Sequence, residues 1–263
     1  MLDSGNFSGD PTASGEIKSR ALLEAMQRLG YQVVNVGERD IRMGYPDFAK
    51  RTSAFPFTYV SANIVERKTK RPIFSPHAVV EARSQDREST VKVGVIGVVR
   101  FNPVFLKAGP EGSSIVIEHP LERVRAEVAA LQKKKVEVVV LLAAMHKNDA
   151  RSIVREVPGI DFVLGSYGGL ISADNEQEGS TTILYCGNRG QLVGESRAFL
   201  HKDKGARIAS RTNKLHVLTG HYPDDDRMLA FLSRFPRDAP AAEDADPAEY
   251  GGEAAGQATP PGS

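Results

Sequence analysis

Residues 30–41, "GYQVVNVGERDI", decide how the rest of the chain is read. Val33, Val34 and Val36 form a short β-branched run suited to a buried strand, and Gly37 ends it. Glu38, Arg39 and Asp40 then place three charges on the strand's carboxyl end, the edge of an open α/β sheet where ligands bind. The cluster is either a site of chemistry or a solvated turn.

Around this stretch, helix-type and strand-type patterns alternate. Ile17, Ala21, Leu22, Ala25, Met26 and Leu29 give 16–29 a helical stripe. A strand at 32–36, a short helix at 46–51 and a strand at 57–61 follow. Strands are expected at 78–83 and 90–98, the second fully buried. A helix at 121–134 ends in Lys133, Lys134 and Lys135, which suit the negative end of its dipole. The buried strand 136–144, a helix at 149–157 and a strand at 162–164 closed by Gly165 complete an α/β pattern with a parallel component. After Thr181 come consecutive strands joined by turns such as "DKG", so antiparallel strands are expected there. "YPDDDRMLAFLSRF" is helical, with acids in its first turn. This organisation gives one domain over 1–218, a helical segment over 219–235 and a disordered Pro/Gly/Ala/acid-rich tail over 236–263.

Charge excludes some functions. With 34 Lys+Arg against 33 Asp+Glu, no global field draws nucleic acid or an anionic membrane. No apolar run approaches the ~20 residues of a membrane span. Cys186 is the only cysteine, which excludes internal disulfides and thiolate metal clusters; in its apolar strand it reads as a buried, inert thiol. No signal peptide is expected in this N-terminus, which lacks a basic segment followed by an apolar stretch. It starts abruptly in "MLDSGNFSGDP", with only Leu2 to suggest a strand, as a domain lacking its first strand would.

Six segments, in order, resemble the metallophosphatase domain of the 5'-nucleotidase/UDP-sugar hydrolase family, within the calcineurin-like phosphoesterases. "LDSGNFSGDP" is similar to the family's D-x-G-D loop, and "LGYQVVNVGERDIRMG" to its L-G-Y-D-x-x-x-x-G-N-H-E-F-D-x-G segment. "FPFTYVSANI" resembles F-P-x-L-S-A-N-I, and "VKVGVIGVV" the strand K-V-G-V-I-G-L. The stretch from "VEVVVLLAAMHKND" to "VPGIDFVLGSYGG" tracks V-D-V-V-V-L-L-S-H-x-G through the G-G-H-S-H box, and "TILYCGNRGQLVGE" the strand with x-A-G-x-x-G-x-x-V-G. The resemblance runs from Leu2 to about Leu218 and implies a four-layer α/β/β/α sandwich of mixed sheets. It also implies a bacterial, periplasmic or secreted setting and a link to nucleotide catabolism.

Family members hydrolyse phosphate esters with two divalent metals, of the Mn, Zn or Fe type, bridged by a carboxylate. The resemblance puts Asn6 at the bridging aspartate and Glu38, Arg39 and Asp40 on the N-H-E triplet. Arg39 thereby takes the position of the catalytic histidine. Ala143 and Ala144 replace the S-H pair, and Ser166, Tyr167, Gly168 and Gly169 the G-H-S-H box. Asn6 lacks the charge for bridging two dications, and a guanidinium has no lone pair. At ~4 Å from a dication it would cost on the order of 8 kcal/mol at an effective dielectric of 20. The first expectation is therefore a catalytically degenerate domain, kept as a binding or structural module, with no resident cofactor.

The enzymatic alternative is a hydrolase with altered ligands, holding metals through Glu38, Asp40, His146 and an expected upstream segment; a single weak metal position at Asn6, Glu38 and His146 is the lesser form of it. A truncated gene product without activity is the third reading. His146 reads more plainly as a surface histidine in "MHKND". Arg39 could grip phosphate or another small anion, or pair with Glu38, Asp40 or Asp3. Tyr167, with Asp40, would line the ligand pocket, the tyrosine by filling the former metal space. "RKTKR" at 67–71 is a solvated turn, and "GNRG" at 187–190 a hairpin turn.

Overall fold

The computed structural model describes residues 1–84, 89–102, 115–172, 176–188, 190–201 and 207–236. The tail beyond Pro236, the "DKG" turn and Arg189 lie outside these residues. In chain order the elements are β1 (Leu2–Asp3), α1 (Ala13–Arg28), β2 (Val33–Asn35), α2 (Tyr45–Thr52), β3 (Thr58–Val60), β4 (Ile64–Glu66), β5 (His77–Arg83), β6 (Thr90–Val99) and β7 (Ile115–Ile117). Then follow α3 (Pro120–Lys133), β8 (Val138–Ala144), α4 (Lys147–Glu156), β9 (Phe162–Gly165), β10 (Gln177–Glu178), β11 (Thr181–Tyr185), β12 (Leu192–His201), β13 (Arg207–Val217) and α5 (Asp226–Leu232).

Local chemistry sets the helix starts. The Thr12 hydroxyl accepts the Gly15 N–H at the head of α1. Pro46 sits in the first turn of α2, where a missing N–H costs nothing. β1, β2 and β3 pair in parallel as one sheet. The second sheet has the order β10-β11-β9-β8-β6-β5, with β6, β8, β9 and β11 parallel and an antiparallel strand at each edge.

Strand alternation divides the core into three. Val139, Leu141 and Ala143 of β8 pack against Val124, Val128 and Leu131 of α3 and Ile153 and Val154 of α4. Val138, Val140 and Leu142 turn the other way and meet Val33 and Val60 of the first sheet. On that sheet's far side, Val34 packs with Leu23 and Met26 of α1 and Phe48 of α2. Three interfaces separate four layers, so the fold is the α/β/β/α sandwich of mixed sheets. Buried asparagines tie the layers at the carboxyl ends of the strands. The Asn35 amide donates to the Ser4 and Val98 carbonyls at 3.0 and 2.9 Å, and the Asn63 amide to those of Val99 and Glu118.

Two expectations need correction. β6 is buried only from Gly94 onward; its register with β8 begins at Val93, so Thr90, Val91 and Lys92 pair with the edge strand β5 alone. β11, expected to be antiparallel, is so only toward the two-residue β10; toward β9 it runs parallel. The antiparallel expectation does hold for the ribbon of β12 and β13. α5 lies on α1, where buried Phe231 packs under the Arg28 guanidinium at 3.8 Å.

Candidate functional site

The carboxyl ends of β1, β2, β6, β8 and β9 converge through hydrogen bonds between their loops. Ser4 Oγ donates to the Leu164 carbonyl at 3.0 Å, and Ser166 Oγ returns a bond to Ser4 O at 3.1 Å. The chain after β1 turns through Gly5 and through Asn6 at φ 64°. This turn seats against Gly37, where a Cβ would lie 2.2 Å from Asn6 Oδ1. Asn6 Oδ1 accepts the Arg39 N–H at 3.2 Å.

Asp40 is fully buried and gathers the loop ends. Its Oδ2 accepts the N–H groups of Gly37 (2.7 Å) and Asn6 (2.8 Å), and its Oδ1 that of Ser8 (2.9 Å). Arg51 supports this clamp. It donates to Ser8 Oγ at 3.0 Å, to the Asp40 carbonyl at 2.8 Å and to Asp47 at 2.7 Å. Burial pushes the Asp40 carboxyl's pKa up, and the backbone donors pull it back part of the way.

A second group forms around Glu38. Its Oε2 accepts from Arg100 Nε at 3.3 Å, and Arg100 also reaches the Tyr167 hydroxyl at 3.4 Å. The Tyr167 ring meets that of His146 edge-on at 5.7 Å. His146 caps α4, its Nδ1 accepting the Asn148 N–H at 3.2 Å. Glu38 Oε1 is buried without a hydrogen-bond partner.

Arg39 departs from expectation. Its partner is neither Glu38, Asp40 nor Asp3 but Asp10, at 3.2 Å, which also faces Arg42 at 3.6 Å. Adjacency in sequence misleads here, because Asp40 turns inward to the backbone and Glu38 turns toward β6. All six residues singled out from the sequence stand on this edge: Asn6, Glu38, Arg39, Asp40, His146 and Tyr167. Sequence reasoning missed Asp10, Arg42, Arg51 and Arg100. Arg100 carried a readable signal, a lone charge directly after the buried run "VIGVV".

The donor set does not suit a pair of metal ions. Among the described residues no group of three or more His, Cys, Asp or Glu side chains could hold one ion. Asp40 is committed to three backbone N–H groups, Glu38 is paired with Arg100, and His146 caps a helix. Cys186, half-buried with its thiol pKa raised by burial, is a poor nucleophile.

Asp3 gives a pH signature. Burial pushes its pKa from 3.8 up to about 6, against the Gly5 N–H bond and with help from the Asp40 charge. A folded-state pKa above the unfolded one contributes stability that is present below about pH 3.8 and lost as pH rises through about 6. The effect is about 3 kcal/mol at most. Asp3→Asn, which keeps an acceptor for Gly5, is expected to melt higher than the wild type at pH 7 and equally at pH 4. Thermal melts at both pH values test this, and a variant no more stable at pH 7 would contradict it.

No family model matches the chain. It is 26% identical to the 2',3'-cyclic-nucleotide 2'-phosphodiesterase/3'-nucleotidase of Salmonella typhimurium, over 62% of this chain and 28% of that protein. It is 27% identical to the protein of the same name from Yersinia enterocolitica, over 62% and 27%. The chain thus spans just over a quarter of the length of these relatives. Among solved structures it is similar to the calcineurin-like phosphoesterase YfkN from Bacillus subtilis, with a TM-score of 0.74 at 16% identity, covering 89% of this chain and 81% of that one. The 5'-nucleotidase precursor from Thermus thermophilus superposes with a TM-score of 0.70 at 19% identity, covering 89% and 49%. The fold is that of the metallophosphatases, and the likeness in sequence is to 2',3'-cyclic-nucleotide 2'-phosphodiesterase/3'-nucleotidases.

Proposed function

We propose that this chain is a 5'-nucleotidase-like metallophosphatase domain that does not hydrolyse phosphate esters and serves as a binding or structural module. The observation that carries the reading is the commitment of Asp40 to the N–H groups of Asn6, Ser8 and Gly37. A carboxylate spent on three backbone donors holds loops together and has little left for a metal. Arg39, its neighbour in sequence, carries a guanidinium with no lone pair with which to replace an imidazole.

The test is metal content. After loading with Mn(II) or Zn(II) and desalting, elemental analysis is expected to find fewer than about one ion per chain, where two-metal hydrolysis needs about two. Hydrolysis of bis(p-nitrophenyl) phosphate under the same loading is expected to match the buffer blank. Two tightly held ions together with turnover would overturn the proposal.

A second reading, an active metal-dependent phosphoester hydrolase with altered ligands, draws on two observations. The curated relatives carry names of nucleotide phosphodiesterases. Glu38 Oε1 is buried and unpartnered, an acceptor still open to an ion. The same loading experiment separates the readings.

A further inference from the structure

We propose that Arg39 and Arg42 form a two-arginine clamp for a small oxyanion of the phosphate class, and that Asp10 of the same chain occupies it as a displaceable internal counter-ion. This rests on the reading of the domain as a binding module and gives that module a ligand. Both guanidiniums converge on one carboxylate oxygen, Asp10 Oδ1, at 3.2 Å from Arg39 and 3.6 Å from Arg42. Two cations thus share a single carboxylate, although each guanidinium has five donors in a fork that fits carboxylate or phosphate oxygens.

The occupant is easily removed. Asp10 has a side chain 68% exposed and lies in the loop before α1, and exposed ion pairs hold by about 1 kcal/mol or less. The arginines open on a cleft of about 90 Å³ lined also by Ser8, Ser19, Asp47 and Arg51. That is well below the ~300–1,000 Å³ of pockets for drug-sized ligands, so the ligand is an oxyanion or the anionic end of a larger molecule. Asp47 is neutralised by Arg51 at 2.7 Å. Glu16, also on the cleft wall, opposes an incoming anion and keeps the affinity weak.

The probe is inorganic phosphate, titrated at low ionic strength in the presence of EDTA and followed by amide chemical shifts. Saturable binding in the millimolar range is expected, shifting residues of the loop before α1. Asp10→Asn removes the competing charge and is expected to tighten binding by about three- to tenfold. Arg42→Gln is expected to weaken it by about tenfold, and Arg155→Gln, which loses only the pair with Glu178 at the far end of α4, to leave it unchanged. Thermal melts check that each variant is folded. The clamp is overturned if neither wild type nor Asp10→Asn binds saturably, if Asp10→Asn binds no tighter, or if Arg155→Gln weakens binding as much as Arg42→Gln. Failure of the non-catalytic reading would appear separately, as metal uptake and turnover, since this titration is run without metal.

Discussion

Asp40→Ala is expected to cost about 4 kcal/mol of folding stability, because it leaves three N–H groups at the loop junction without an acceptor and each buried orphan costs about 1–3 kcal/mol. For a domain of this size about 3 °C of melting temperature goes with each kcal/mol, so the melt should fall by roughly 12 °C. Asp40→Asn should lie between the two. Its one remaining oxygen keeps part of the clamp, while its amide group points donors at donors. The experiment also tests function. A buried carboxylate kept for a metal is a liability without the ion, since burial raises its pKa, and its removal would leave the metal-free protein as stable or more so. Denaturant titration of metal-free protein decides, and an Asp40→Ala variant as stable as the wild type would remove the clamp and the main support for a non-catalytic domain.

Much of the fold was legible because the layers are built from β-branched runs with clear ends. "VVNV", "VIGVV" and "VVVLLAA" each became a parallel strand, and their alternation sorted side chains between the helix-facing and sheet-facing cores. The short strands β4, β7 and β10 carried too few residues for any periodicity to show. The site was legible as a place but not as a set of partnerships. Glu38, Arg39 and Asp40 are adjacent in sequence, yet successive residues leaving a strand point in different directions. One meets Arg100, just past β6, one the loop before α1, and one the backbone beneath it. Local charge counting therefore paired the arginine with a neighbouring acid, where the folded chain has three separate contacts. Arg51 escaped notice for a related reason. On α2 it looked like a last-turn base, and only the tertiary fold brings it to Ser8 and the Asp40 carbonyl.

Gly165→Ala is expected to be strongly disruptive at this edge. Gly165 and Tyr185 are paired directly across β9 and β11, and a Cβ at 165 would lie 2.0 Å from the tyrosine ring's Cζ. The ring has no route of retreat. It is fully buried in the core beneath α3 and α4, and its hydroxyl donates to the Met145 carbonyl at 2.9 Å. Ordinary overpacking costs about 1–3 kcal/mol when neighbours can shift; here the strand pairing or the buried hydroxyl bond must also give way, so about 4 kcal/mol or more is expected. The cause is separable by a double-mutant cycle. Tyr185→Ala alone should cost about 3–5 kcal/mol for its cavity, but Gly165→Ala added to it should cost less than about 1 kcal/mol, because the atoms it struck are gone. Additive costs would mean that the glycine serves some need other than room for the ring. A functional consequence travels with the methyl. Gly165 leads directly into Ser166, bonded to the loop after β1, and Tyr167, bonded to Arg100. Widening the gap between β9 and β11 should therefore loosen the Glu38–Arg100–Tyr167 group while leaving the Asp10–Arg39–Arg42 clamp on the other sheet in place. Phosphate titration of a folded Gly165→Ala sample should return the wild-type affinity, and a loss of binding there would show that the two halves of the edge act as one site.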